Sequence, residues 1–407
     1  MKYSPESSQR GIALVLTFDH PQQVMQNFAK EIMQGLICQG FEGQVLSVNS
    51  ELKSQAAAID WSRVRLCVSI GPLPLTITVG GVPIYETLHC PFILYVLDSL
   101  FYDLQSFPQA RSFVNSALNN SRLVIACAEE DFVDVLKAYA ESKNAKLNAC
   151  FTPFASFVRI PSCPPPSRRH RALLVGNLGA ELSAHSVRAE LLETILANAS
   201  GLAAPIKLMR LAEAMLDKDA PQNVTKLFEQ VLELEPGWIL EIPALHLLAA
   251  SDSHLKRIRR SYLAQALVDS PMPVDIFGTG WEDVTSLNRQ VRMLGNLSHV
   301  DLFEASMAYS HGINIDPNWG RGFHDRVFTF LAAGMQVLTN SNTFINHLPP
   351  DGAKLVHSFD VLHSKSVQSA LATDSTLSLA PWSWSDLKTV EGHHWTHRCN
   401  GWMSCLG

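Results

Sequence analysis

Apolar runs of strand length alternate along the chain with amphipathic segments of helix length. The first run, GIALVLTF at 11–18, is apolar almost throughout, the pattern of a strand covered on both faces. Asp19–His20–Pro21 interrupts it, and a helix-period segment follows to about Gln39, where Gly40 supplies a stop. VLSV, LCVSI, LTITV and FILYVL read as further strands, the last ending at Asp98–Ser99. Residues 109–119 read as helix, RLVIACA as strand, EEDFVDVLKAYAES as helix, and LNACFTPFA as a strand running into a loop. This alternation predicts a doubly wound parallel sheet over residues 1–159. The stretch IPSCPPPSRRHR, rich in proline and then basic, reads as a linker.

A second domain over 170–385 opens with ALLVGNLG, a strand entering a turn at Gly176. Gly176 and Gly179 lack the third glycine of a dinucleotide fingerprint. A helical insertion is expected over about 184–268. Within it, VTKLFEQVLELEP resembles half of a tetratricopeptide repeat; an ordinary helical insertion and a partner-binding surface are both open readings. The run LKRIRRSYL reads as a solvated basic face or as an anion patch. PVDIFGTGW is a strand into a tight Gly278-Thr279-Gly280 turn, where glycine lets backbone N–H groups approach a ligand. The last stretch, 386–407, is a tail that is free to cross back to the first domain.

The densest chemistry lies in Asn314–Thr339, NIDPNWGRGFHDRVFTFLAAGMQVLT. A strand ends near Asp316–Pro317, glycines bracket Arg321, and a helix from about His324 to Ala333 stops at Gly334 before the strand MQVLT. A helix start behind a glycine loop presents unpaired N–H groups and a positive dipole end. Arg321 and Arg326 add fixed charge, and guanidinium forks match phosphate oxygens. The chemistry that suits such a corner is holding a diphosphate.

Asn314, Pro317, Gly322, Arg326, Phe328, Ala332, Gly334, Leu338 and Thr339 together resemble the C-terminal signature of GT-B glycosyltransferases, and within them the spore-maturation-protein (CgeB-like) group. The resemblance implies two Rossmann-like doubly wound domains, an α/β fold, with the helical insertion in the second. It further implies transfer of a sugar from a nucleotide-sugar donor in an interdomain cleft, without a metal; no Asp-x-Asp motif ends an apolar strand. One position departs from the signature. Thr329 stands where related transferases carry the acid that holds the donor ribose.

Ligands of open α/β sheets bind past the carboxyl ends of the strands. His20 and Asp98 follow such ends and are candidates for the base or for positioning the acceptor. Asp98 is equally a preferred helix-capping type, and His20, just before a proline, is equally open to a capping reading. Donor candidates are Gly176, Gly278, Thr279, Gly280, Asn314, Arg321, Gly322, Phe323, His324, Asp325, Arg326 and Thr329. Asp325 also suits the first turn of a helix for its charge alone, and Arg321 suits a solvated loop. Trp281 reads as core.

Composition narrows the class. A length of 407 residues accommodates two cored domains. A net charge of −6 lacks the basic footprint of nucleic-acid binding. The eight cysteines form no CxxC pair and read as reduced thiols of a cytoplasmic protein. Residues 66–85 carry no charge but one, Glu86, follows immediately; prolines and glycines divide the stretch into strand-sized pieces rather than a membrane span. The expectation is therefore a glycosyltransferase with no cofactor beyond its nucleotide-sugar substrate, an unknown acceptor, and a protein partner on the insertion as an open call. A catalytically silent scaffold and a sugar-nucleotide epimerase are the alternatives.

Overall fold

The computed structural model describes residues 10–21, 23–155, 168–179, 184–198, 203–216, 224–235, 237–299, 301–315, 320–360, 364–372 and 394–405. The chain divides into two compact units, one of Met1–Phe157 with His393–Gly407 and the other of Val158–Gly392. Each holds one six-stranded sheet in which every strand pairing is parallel.

In the first unit the strands are β1 (Ile12–Phe18), β2 (Glu42–Val48), β3 (Val64–Ile70), β6 (Phe92–Val96), β7 (Leu123–Cys127) and β8 (Asn148–Phe151), in the order β2-β1-β3-β6-β7-β8. The direction of winding reverses between β1 and β3, so that pair is the switch point. Ile12 to Leu16 are buried, as are Phe92 to Val96. A strand buried on both faces has no polar side to alternate with, which is why these runs were legible as unbroken apolar stretches.

One expected strand is not part of the sheet. LTITV forms a 3-10 turn, Leu73–Thr76, and then the two-residue strand β4 (Thr78–Val79), which pairs only with β5 (Val82–Pro83). Pro72 and Pro74 explain this: each lacks an N–H for a ladder and fixes φ near the helical value. Among the described residues no helix is long and apolar enough to cross a membrane.

The first unit is completed from the far end of the sequence. The helix Trp395–Cys405 packs on the helix Val24–Ile37. Trp395, Cys399 and Trp402 lie one helical face apart and are all buried. Trp395 stacks edge-on to Phe28 and Tyr95, and both indoles find acceptors: Trp395 Nε1 donates to Glu31 at 2.9 Å and Trp402 Nε1 to Thr152 Oγ1 at 2.9 Å. Gly35 permits the approach, since a methyl group there would stand 3.0 Å from the Trp395 carbonyl.

In the second unit the strands are β9 (Arg169–Val175), β10 (Val274–Phe277), β11 (Val291–Met293), β12 (Tyr309–Ile313), β13 (Gln336–Asn340) and β14 (Val356–Phe359), in the order β11-β10-β9-β12-β13-β14. Its switch point lies between β9 and β12. Helices Ala184–Asn198, Pro205–Leu216, Val224–Leu232 and Ile242–Val268 separate β9 from β10. Asp275 ties four strands together near their amino ends. Its fully buried carboxylate accepts from Arg171 of β9 at 2.8 Å, from Arg292 of β11 at 2.8 and 2.9 Å, and from Tyr309 of β12 at 3.0 Å. Burial alone would raise the Asp275 pKa, but the hydrogen bonds from Arg292, Tyr309 and Arg171 outweigh it and hold the acid below its usual range.

Candidate functional site

The site is built at the carboxyl ends of β9, β10 and β12. Two glycine turns follow the first two strands and are pressed together. Gly278 has φ +152°, and a methyl group built on it would lie 2.1 Å from the Gly176 carbonyl oxygen. That same oxygen accepts from the Trp281 indole at 2.8 Å, and Trp281 is buried as core. Gly176 N donates to Phe277 O at 2.9 Å, Gly278 N to Gly295 O at 2.8 Å, and Thr279 N to the Asn177 side chain at 2.9 Å. The N–H groups of Gly176, Gly278 and Thr279 are therefore taken by the protein. These residues shape the corner through close packing and do not hand their own N–H groups to a ligand. Gly280, with φ +85°, packs against Leu178 and Gly179.

The helix after β12, Asp325–Ala332, lies directly on its strand because Gly312 has no side chain; a methyl group there would fall within 2.3 Å of the Phe330 ring. This seating sends Arg326 across the switch point. Its Nη1 donates to the Val175 carbonyl at the end of β9, and its Nε lies 3.2 Å from His324 Nδ1. A methyl group on Gly176 would come within 3.0 Å of the same Nη1. Arg326 and Gly176, far apart in sequence, thus meet at one point.

The remaining donor candidates divide into a brace, a core contact and an acid pair. Asn314 is buried and donates to Thr339 Oγ1 at 3.1 Å, joining β12 to β13, while its own Oδ1 has no partner among the described residues. Asp316 and Pro317 lie outside the described residues. Arg321 is half-buried, and Gly322 O accepts from Asn342 Nδ2 at 2.5 Å, which fixes the loop to the segment after β13. Phe323 is fully buried, edge-on to Phe344 at 5.3 Å, so it is core.

Asp325 is buried and gripped by two imidazoles. Its Oδ2 is 2.9 Å from His299 Nε2, and its Oδ1 touches His324 Nδ1. Burial pushes its pKa up, but the His324 charge and the hydrogen bonds from His299 and His324 dominate and hold the carboxyl well below the usual range. Thr329, one turn on, is buried and its hydroxyl turns back to the Asp325 carbonyl at 3.2 Å. His299 was not visible as a site residue in the sequence. Its only signal is proximity in space to an acid 26 residues later.

In the first unit His20 and Asp98 follow β1 and β6, which flank β3, so they occupy one edge of the sheet roughly 10 Å apart by strand spacing. Neither is the helix cap: Gln23 holds that position before Val24–Ile37 with no side-chain cap bond, and Ser99 caps Leu100–Ser106 by accepting from Tyr102 N at 3.5 Å. Asp19 is an addition. Its Oδ1 accepts from Ser47 Oγ at 2.9 Å and lies 3.4 Å from the Gln26 and Asn49 amides, beside the switch point.

Solved structures share this fold. A glycosyltransferase from Rickettsia africae matches 98% of this chain and 99% of its own with TM-score 0.53 and 9% identity. The HepE protein of Anabaena, crystallised with UDP and glucose, matches 97% of this chain and 98% of its own with TM-score 0.50 and 9% identity. The chain shares their fold. At this identity the likeness is one of fold, and it agrees with the two-domain α/β architecture of the GT-B resemblance. No protein-family model and no curated protein matches the sequence.

Proposed function

We propose that the chain is a glycosyltransferase that moves a sugar from a nucleoside diphosphate sugar to an acceptor hydroxyl, and that it is related to the spore-maturation-protein (CgeB-like) group. One observation carries the reading: Arg326 reaches across the switch point of the second sheet to the end of β9, beside Gly176, where a parallel sheet places its ligand. The fold shared with the Rickettsia enzyme, and with a protein captured with UDP and glucose, supports it.

In the proposed reaction the acceptor oxygen bonds to the anomeric carbon as the bond from that carbon to the β-phosphate oxygen breaks. The electron pair leaves with the nucleoside diphosphate, and the acceptor proton passes to a base. Arg326 and the amino end of its helix stabilise the charge on the departing diphosphate, and no metal is needed for that charge balance. His20 and Asp98 are the proposed base or acceptor-positioning groups. The first unit serves the acceptor and the second the donor. A cytoplasmic setting is part of the proposal, supported by free thiols at Cys38, Cys67, Cys90, Cys127, Cys150 and Cys399.

A second reading has a specific observation behind it. Thr329 offers no carboxylate to a ribose, and the nearby Asp325 carboxylate is engaged by His299 and His324. These features favour a silent scaffold that presents its helical insertion to a protein partner. Incubation with a panel of nucleotide sugars separates the readings. A transferase releases nucleoside diphosphate from its donor, at least slowly to water. An epimerase converts the sugar without release. A scaffold leaves every donor intact, and that result would end the transferase proposal.

A further inference from the structure

The basic run of the insertion, Lys256-Arg257-Ile258-Arg259-Arg260, is resolved residue by residue in the structure. Lys256 lies 3.4 Å from Asp252, one turn back on the same helix. Arg257 donates to Glu190 of the helix Ala184–Asn198 at 2.6 Å. Arg259 is buried with the charges of Asp252 and Asp360 beside it. Arg257 and Arg259 thus brace the long helix Ile242–Val268 against its neighbours, while Lys256 pairs within it. Arg260 also reaches the loop after β9: a methyl group built on Gly179 would stand 3.8 Å from its Nη1. Gly179 has φ +61° and belongs to the loop after β9 that begins at Gly176. So the insertion sends a guanidinium to the Gly179 end of the same four-residue loop whose Gly176 end Arg326 reaches.

We infer that Arg260 is a second phosphate-binding arginine, and that the loop Gly176–Gly179 lies between two guanidinium groups that together select a diphosphate over a less charged ligand. The inference rests on the proposed donor site. Three residue steps separate Gly176 from Gly179, at most roughly 10 Å, and arginine side chains on either flank of such a span fit two linked phosphates. Asn177 and Gly179 are the exposed members of the loop, while Leu178 is buried. The anion therefore sits over Asn177 and Gly179 with Arg326 at one end and Arg260 at the other. Arg260 is carried by a helix braced through Arg257 and Arg259, which makes the insertion a part of donor recognition and not only an outer surface. Two fixed positive charges act more strongly on a diphosphate than on a monophosphate because each linked phosphate meets its own fork.

The test is calorimetric titration of the full chain with a nucleoside, its monophosphate and its diphosphate, beginning with the uridine series. It compares the parent with Arg260→Ala, Arg260→Gln, Arg260→Lys and Arg326→Ala. The expected result is a loss of about tenfold to a hundredfold in diphosphate affinity for Arg260→Ala and Arg260→Gln. Nucleoside affinity stays unchanged, and Arg260→Lys recovers part of the loss. Thermal melting of each variant checks the fold. If Arg260→Ala unfolds, the Gln and Lys pair decides, since Gln keeps a polar side chain without the charge and Lys keeps the charge. Diphosphate affinity unchanged in Arg260→Gln, with a loss in Arg326→Ala, overturns the role of Arg260 and leaves the donor site standing. No diphosphate binding by the folded parent, tried with each of the common bases, removes the donor site and this inference with it.

Discussion

Replacing Gly278 by alanine strikes the point on which the proposed donor corner is built. The new methyl group would sit 2.1 Å from the Gly176 oxygen, against an ordinary contact of about 3.4 Å, so one turn must retreat by about 1.3 Å. Overpacking of this kind costs about 1–3 kcal/mol. The φ of +152° adds strain for any residue with a side chain. The retreat also breaks the bond from Trp281 Nε1 to Gly176 O, and a buried indole N–H left unpaired costs about 1–3 kcal/mol. The terms are not fully additive, and a net loss of about 3 kcal/mol lowers the melting temperature of a unit this size by roughly 6–12 °C. Displacement of Gly176 moves the neighbour of Arg326 as well, so nucleotide binding falls beyond what instability explains. Thermal melting followed by ligand titration well below the transition reads both effects. A variant that melts within a degree of the parent and binds alike would show that the turns are not interlocked as described.

Asp275→Asn removes the charge that two partly exposed arginines share and weakens their hydrogen bonds, and is expected to cost about 1–3 kcal/mol, read by denaturant unfolding of the second unit. Trp402→Ala in the C-terminal helix empties a buried position beside Tyr95 and is expected to destabilise the first unit by about 3–5 kcal/mol, read by hydrogen exchange of the strand Phe92–Val96. Asp325 has a folded pKa below its ordinary 3.8, so its contribution is complete above that value and is lost as pH falls through the folded pKa. Melting measured between pH 2 and 6 should therefore fall less steeply below pH 4 in Asp325→Asn than in the parent.

The strands were legible wherever both faces are buried, because an unbroken apolar run such as Ile12–Leu16 has few other uses. The run LTITV misled because β-branched residues suit a sheet while the prolines just before it forbid a full ladder. The helix Asp325–Ala332 and its stop at Gly334 followed from period and glycine placement. Arg326 was visible through its motif. What the motif did not disclose is geometric: the return of its guanidinium to Val175, the grip of His299 on Asp325, and the arrival of Arg260 beside Gly179. Each joins residues that only the winding of the sheet brings together. The GTG stretch was recognised as a turn, but the N–H groups of Gly278 and Thr279 proved to be spent on the Gly295 carbonyl and the Asn177 side chain, a fact that no single segment contains.

The central claim is that the switch point of the second sheet holds a nucleoside diphosphate. A thermal-shift panel of nucleoside mono- and diphosphates and their sugars against the full chain tests it most directly, since a ligand that binds only the native state raises the melting temperature by mass action. The account predicts a selective rise with one diphosphate that Arg326→Ala abolishes. A well-folded chain whose melting is indifferent to every nucleotide would contradict it.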